Sequence, residues 1–151
     1  MIGLVSFGRF IVSDLGNEQF YAFYLSSGMI ASYVSYLAKF LLKTTSVASL
    51  GASGAVFAVT ALAIRSMPDI SVSLIFLPFL PISGSWFLTC GINRIDIALL
   101  CTTIFETVGL FSRKSVFDHP AHLGGMAVGY FYYPIHVILI ELDWLIGIIM
   151  G

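Results

Sequence analysis

The chain has 151 residues, of which 58% are apolar and only 10% charged, against roughly 45–50% and 25% in a soluble domain. Seven basic and eight acidic side chains are too few to cover a 16.5 kDa globule, and a mean hydropathy of +0.98 means that most of the surface faces hydrocarbon rather than water. A net charge of −1 excludes nucleic acid as a main partner, because no basic stripe is present to neutralise phosphates; the partner is the lipid bilayer.

At about 20 apolar residues per crossing, the length admits a small all-α polytopic transmembrane bundle of about four to five segments. Met1 opens directly into apolar sequence, without a presequence or a secretory cleavage site, as the interior of a helix does rather than its capped start. The chain is therefore expected to be a fragment. The stretch Met1 to Leu15 ends at Gly16-Asn17 and is too short to span alone. Phe20 to Leu42 is long enough to cross, with Tyr21 and Tyr24 near one end and Lys39 and Lys43 at the other, where amphipathic side chains reach headgroups. Ser49 to Arg65 is short, rich in Gly and Ala, and stopped by Met67-Pro68-Asp69, a composition suited to burial inside a bundle. Ile70 to Ile82 contains Pro78 and Pro81 and reads as broken or re-entrant. Gly84 to Phe111 supplies one crossing, interrupted by Asn93-Arg94-Ile95-Asp96 and carrying Glu106. After the polar connection Arg113 to His119, Pro120 to about Ile140 is the last clear segment, with a prolongation through Trp144 to Ile149. Cys90 and Cys101 match no metal or redox spacing and read as core residues.

Chemistry concentrates in two places. The first is Gly51-Ala52-Ser53-Gly54 at the start of a helix, where the first-turn backbone N–H groups of Ser53 and Ala52 and the positive end of the macrodipole can stabilise an oxyanion. Taken alone, the motif fits ordinary helix packing better, because Gly51, Gly54, Ala55, Ala58 and Ala61 form a small-residue face. The second is Asp118-His119-Pro120-Ala121-His122-Leu123-Gly124-Gly125, with Gly125 and Gly129 at small-xxx-small spacing. His122 is either a functional intramembrane group or a histidine hydrogen-bonded to a neighbouring helix. His119, one turn earlier, reads as a solvated histidine at the polar edge. Metal binding by His119 and His122 is set aside because no further ligand pair accompanies them, and no cofactor is expected.

Together the two places say more. Separated by one net crossing, the two helices run in the same direction, so Ser53 and His122 share a depth. Small residues on both helices permit the approach that a nucleophile–base hydrogen bond requires. No carboxylate is obviously placed to orient the imidazole. Phe57, one turn after Ser53, is available to pack against the ring, and equally suits an ordinary core.

These residues resemble the rhomboid intramembrane serine proteases, whose signature is a Gly-x-Ser-Gly serine followed two helices later by an Ala-His-x-Gly-Gly histidine. The likeness is greatest to the mitochondrial presenilin-associated rhomboid-like branch, through Leu15 to Phe20, Leu50 to Ala55, Ile75 to Pro78 and Phe117 to Gly125. The resemblance implies a partial rhomboid protease domain over 1–140, catalysis by Ser53 and His122 without metal, transmembrane protein substrates and residence in the mitochondrial inner membrane. The alternative is a non-catalytic rhomboid-like protein that binds transmembrane clients. Three departures accompany the likeness. The family's side-chain oxyanion donors would fall just before Met1, which leaves activity in this chain in doubt. Residues 85–97 look like an insertion, and the apolar tail 141–151 diverges from the family.

Overall fold

The computed structural model of the chain describes residues 2–43, 51–66, 94–111 and 117–150. The Pro-containing stretch 70–82 lies outside them, as does the expected insertion up to residue 93. Five helices follow in order: α1 (Ile2–Leu15), α2 (Asn17–Leu42), α3 (Gly51–Ser66), α4 (Arg94–Leu110) and α5 (His119–Met150). Among the described residues there is no strand. Two helices, Asn17–Leu42 and His119–Met150, are long and apolar enough to cross a membrane; Gly51–Ser66 is a shorter apolar helix.

Gly16 separates α1 from α2. Its φ of 78° lies in the region that L side chains with a Cβ avoid, so the chain breaks there while Phe20 N–H still bonds the Gly16 carbonyl at 3.1 Å. The break lets α1 fold back onto the bundle. Ile11 and Leu15 of α1, Phe20 and Phe23 of α2, and Ala58, Val59, Leu62 and Ala63 of α3 then form one buried cluster.

Helix α3 is the centre of the bundle. Eight of its sixteen residues are buried, and five of the eight are Gly or Ala, so neighbouring backbones approach closely, as membrane helix contacts require where the hydrophobic effect supplies little. Contacts between α3 and α5 advance in step: Gly54 meets Ala121 and Gly125, while Ala58 and Ala61 meet Gly129. The two helices are therefore parallel, with their N-terminal ends at one face of the bundle. Helix α2 is antiparallel to both, since Gly28 meets Ala55, Ala31 meets Gly54 and Val34 meets Gly124, while Phe23 packs on Tyr132 at a ring-centroid distance of 4.7 Å.

Helix α5 is 32 residues long with Pro134 inside it. It continues without a break through the tail 141–151 as far as Met150, and every residue from Ile138 to Met150 is exposed. Apolar exposure of this kind along Tyr33, Tyr36, Phe40, Ile138, Leu139, Trp144 and Ile149 is what a lipid-facing surface requires. Cys101, on α4, is half-buried rather than a core residue; Cys90 lies outside the described residues.

Candidate active site

The start of α5 is fixed before any chemistry is considered. Asp118 immediately precedes the helix, and its carbonyl accepts the His122 N–H at 3.1 Å, closing the first turn. Its carboxylate sits at the positive end of the helix dipole, accepts the Ser35 hydroxyl at 2.7 and 2.8 Å and pairs with Lys39 Nζ at 3.0 Å. Ser35 and Lys39 are one turn apart on α2, so the polar segment before α5 is tied to the far end of α2. The other end of the α3–α5 contact carries Arg65, whose guanidinium lies 5.2 Å from the Tyr130 ring centroid and 5.8 Å from that of Tyr133.

Between these fastenings the glycines set the helix separation. A methyl group on Gly125 would lie 2.7 Å from the Gly54 carbonyl carbon, with the Gly54 oxygen nearer still, so only a bare Cα fits. Gly129 stands in the same relation to the Ala58 carbonyl. The approach brings Ser53, on the first turn of α3, to His122: Oγ lies 3.2 Å from Nε2. Phe57 stacks on the imidazole with centroids 4.3 Å apart and planes inclined at 20°, and this contact holds the ring plane.

The other ring nitrogen of His122 faces α4. Glu106 Oε1 is 3.1 Å from Nδ1, an ion-pair distance, although the ring N–H direction misses the carboxylate and Nδ1 has no hydrogen-bond partner. Glu106 Oε2 contacts His119 Nδ1 at 2.6 Å. Glu106, His119 and His122 are 3%, 5% and 5% exposed, so a carboxylate is enclosed between two imidazoles.

Two sequence expectations change here. His119 is not a solvated edge residue but a buried one, drawn in because Gly109 on α4 has no side chain to occupy the space its ring fills. A carboxylate does stand beside the imidazole; it is Glu106, whose place sequence spacing could not reveal because it arrives from another helix. Ala52 is exposed, Ser53 and Gly51 are half-buried, and Gly54, Gly125 and Gly129 are buried.

Comparison with known proteins agrees with this architecture. A family model described as Rhomboid domain matches residues 1–138. The human presenilin-associated rhomboid-like protein, mitochondrial, is 39% identical over 132 residues, covering 87% of this chain and 32% of that protein; its Bos taurus counterpart gives the same figures. Rhomboid protein 1, mitochondrial, of Saccharomyces cerevisiae is 32% identical over 133 residues, 87% of this chain and 35% of that protein. The chain thus spans about a third of the length of the curated relatives it matches. No solved structure matches it. With mitochondrial relatives and two helices of crossing length, it is an integral protein of the mitochondrial inner membrane. An all-helical bundle whose matched region runs from the first helix through most of the last is a partial rhomboid fold, and the chain belongs to the rhomboid family.

Proposed function

We propose that this chain carries the catalytic pair of an intramembrane serine endopeptidase that cleaves transmembrane helices. The observation that supports the reading best is the 3.2 Å approach of Ser53 Oγ to His122 Nε2 within a family-matched bundle. In the neutral imidazole with its proton on Nδ1, Nε2 accepts the serine hydroxyl proton. Ser53 Oγ then attacks the scissile carbonyl carbon, and the proton moves to His122 Nε2. The first-turn amides of Ala52 and Ser53 at the positive end of α3 stabilise the oxyanion.

Collapse of the tetrahedral intermediate breaks the C–N bond. His122 returns the proton to the leaving amine nitrogen, and Ser53 is left as an ester. Water, giving a proton to Nε2, attacks that ester carbonyl; the C–Oγ bond then breaks, Nε2 returns the proton to Ser53 Oγ, and the new C-terminal carboxyl group leaves and ionises. Throughout, the Glu106 carboxylate beside Nδ1 stabilises the imidazolium that forms, and Phe57 keeps the ring from rotating away from Ser53.

The test is reconstitution of the chain in lipid vesicles with a single-pass transmembrane substrate, together with labelling by a serine-directed fluorophosphonate. Cleavage and labelling are expected, and both are expected to vanish in Ser53→Ala and His122→Ala. Binding of the substrate without cleavage or labelling would establish a non-catalytic client-binding protein instead.

A further inference from the structure

The carboxylate and imidazoles beside the serine also form a ligand set for a cation, a use that the proposed reaction does not make of them. One ligand atom from each of Glu106, His119 and His122 lies within 4.8 Å of the other two, and all three residues are buried. Two histidines one turn apart on α5 and a carboxylate from α4 make a His2Glu set, the composition that holds zinc with one coordination position left open. Ligand atoms around a tetrahedral zinc stand about 3.4 Å apart; Glu106 Oε1 and His122 Nδ1 are 3.1 Å apart, and the 2.6 Å contact of Glu106 Oε2 with His119 Nδ1 opens by under about 1 Å to admit an ion. His122 Nδ1 is buried 3.1 Å from Glu106 Oε1 and has no hydrogen-bond partner. The carboxylate and imidazoles sit in an apolar bundle, where a dication compensates the buried negative charge better than neutral rings do.

We propose that Glu106, His119 and His122 form an inhibitory zinc site, with His122 bound through Nδ1. This inference rests on the serine–histidine reading, and it concerns regulation of that same pair. Zinc on Nδ1 takes the lone pair there, so the ring's proton must reside on Nε2. Nε2 then faces Ser53 as a donor and cannot accept the hydroxyl proton. The metal also occupies Glu106, removing the carboxylate from the imidazolium it would stabilise. Zinc therefore switches off the nucleophile without touching it, and a chelator restores it.

Binding is separable from catalysis because Ser53 is not a ligand. Zinc chloride titrated calorimetrically into detergent-solubilised Ser53→Ala chain is expected to bind at one ion per chain. Cobalt in its place is expected to give the intense visible bands of a tetrahedral ion. His119→Gln and Glu106→Gln, each made in the Ser53→Ala chain, keep a hydrogen-bonding group and are expected to weaken binding on the order of 100-fold, while His136→Gln, outside the cluster, changes nothing. In the chain with Ser53 intact, zinc is expected to suppress fluorophosphonate labelling, EDTA to restore it, and His119→Gln to make labelling insensitive to zinc. Absence of saturable binding, or binding unchanged by His119→Gln and Glu106→Gln in chains of unaltered helicity, overturns the site. Binding that leaves labelling unaffected overturns the inhibitory role. A zinc-free chain that never labels overturns the protease reading and the inhibition with it, while the calorimetric result still decides the site.

Discussion

Gly125→Ala is expected to disable the site without touching either of its reactive side chains. The added methyl would stand 2.7 Å from the Gly54 carbonyl carbon and 3.1 Å from its Cα, where ordinary contact starts at 3.4 Å. Both obstacles are backbone, so no rotamer change relieves them, and the helices must part locally by roughly 1 Å. Gly54 is the residue after Ser53, and Gly125 lies one turn beyond His122. The present 3.2 Å between Oγ and Nε2 therefore grows to about 4 Å, past hydrogen-bond reach. Overpacking of this kind costs roughly 1–3 kcal/mol, and a misplacement of about 1 Å at a reacting pair costs on the order of 100-fold in rate. Fluorophosphonate labelling rates in detergent and thermal melts followed by far-ultraviolet circular dichroism measure the two effects. Gly147→Ala is the control, since nothing lies within 4 Å of its added methyl. A Gly125→Ala chain that labels and melts like the parent would show that α3 and α5 are not held together at this contact.

Phe57→Ala removes the ring stacked on His122; at roughly 0.5–1.5 kcal/mol for such a contact, labelling is expected to slow about 2- to 12-fold with helicity unchanged, and an unchanged rate would refute the positioning role. Asp118→Ala deletes the acceptor of Ser35 and the partner of Lys39, and a loss of about 1.5–3 kcal/mol is expected in the thermal melt. Lys39→Ala alone is expected to cost under about 1 kcal/mol, because the pair is partly exposed and screened. Arg65→Ala, which removes the cation over Tyr130 and Tyr133, is expected to lower stability by about 1–2 kcal/mol and to leave the labelling rate of the folded fraction unchanged, since it lies at the opposite end of α3 from Ser53.

The helices were legible because apolar runs of membrane length have few other outcomes. Phe20 to Leu42 corresponds to Asn17–Leu42, and Pro120 to about Ile140 with its prolongation to Ile149 corresponds to His119–Met150; the N-terminal ends differ because the polar residues Asn17, Glu18 and His119 belong to the helices. The parallel course of α3 and α5 followed from counting crossings, and small residues at Gly54, Gly125 and Gly129 gave the side on which they meet. Glu106 was not legible in its role. Spacing rules connect residues within one helix, whereas Glu106 meets His122 across two, and its position depends on how α4 is rotated. Once Glu106 was missed, so was His119: a histidine beside Asp118 in a polar connection reads as solvated unless its buried partner is known. A metal site is equally hidden, since along the sequence no further ligand pair accompanies His119 and His122 and the third donor, Glu106, arrives from another helix.

The uninterrupted course of α5 also acts as a ruler. Glu141 and Asp143 are the acidic residues of its distal part, 19 and 21 positions beyond His122 by their numbers. At about 1.5 Å per residue this separation is about 30 Å, the thickness of the hydrocarbon layer. When that acidic pair reaches one aqueous boundary, His122 lies just beneath the other. The ruler therefore sets the depth of the chemistry from the far end of the helix: hydrolytic water has only a short distance to travel from the face opposite Glu141 and Asp143. Lengthening α5 by one turn between Ile138 and Glu141 would leave every contact around His122 in place while pushing the whole site about 5 Å outward, toward the aqueous face opposite Glu141 and Asp143.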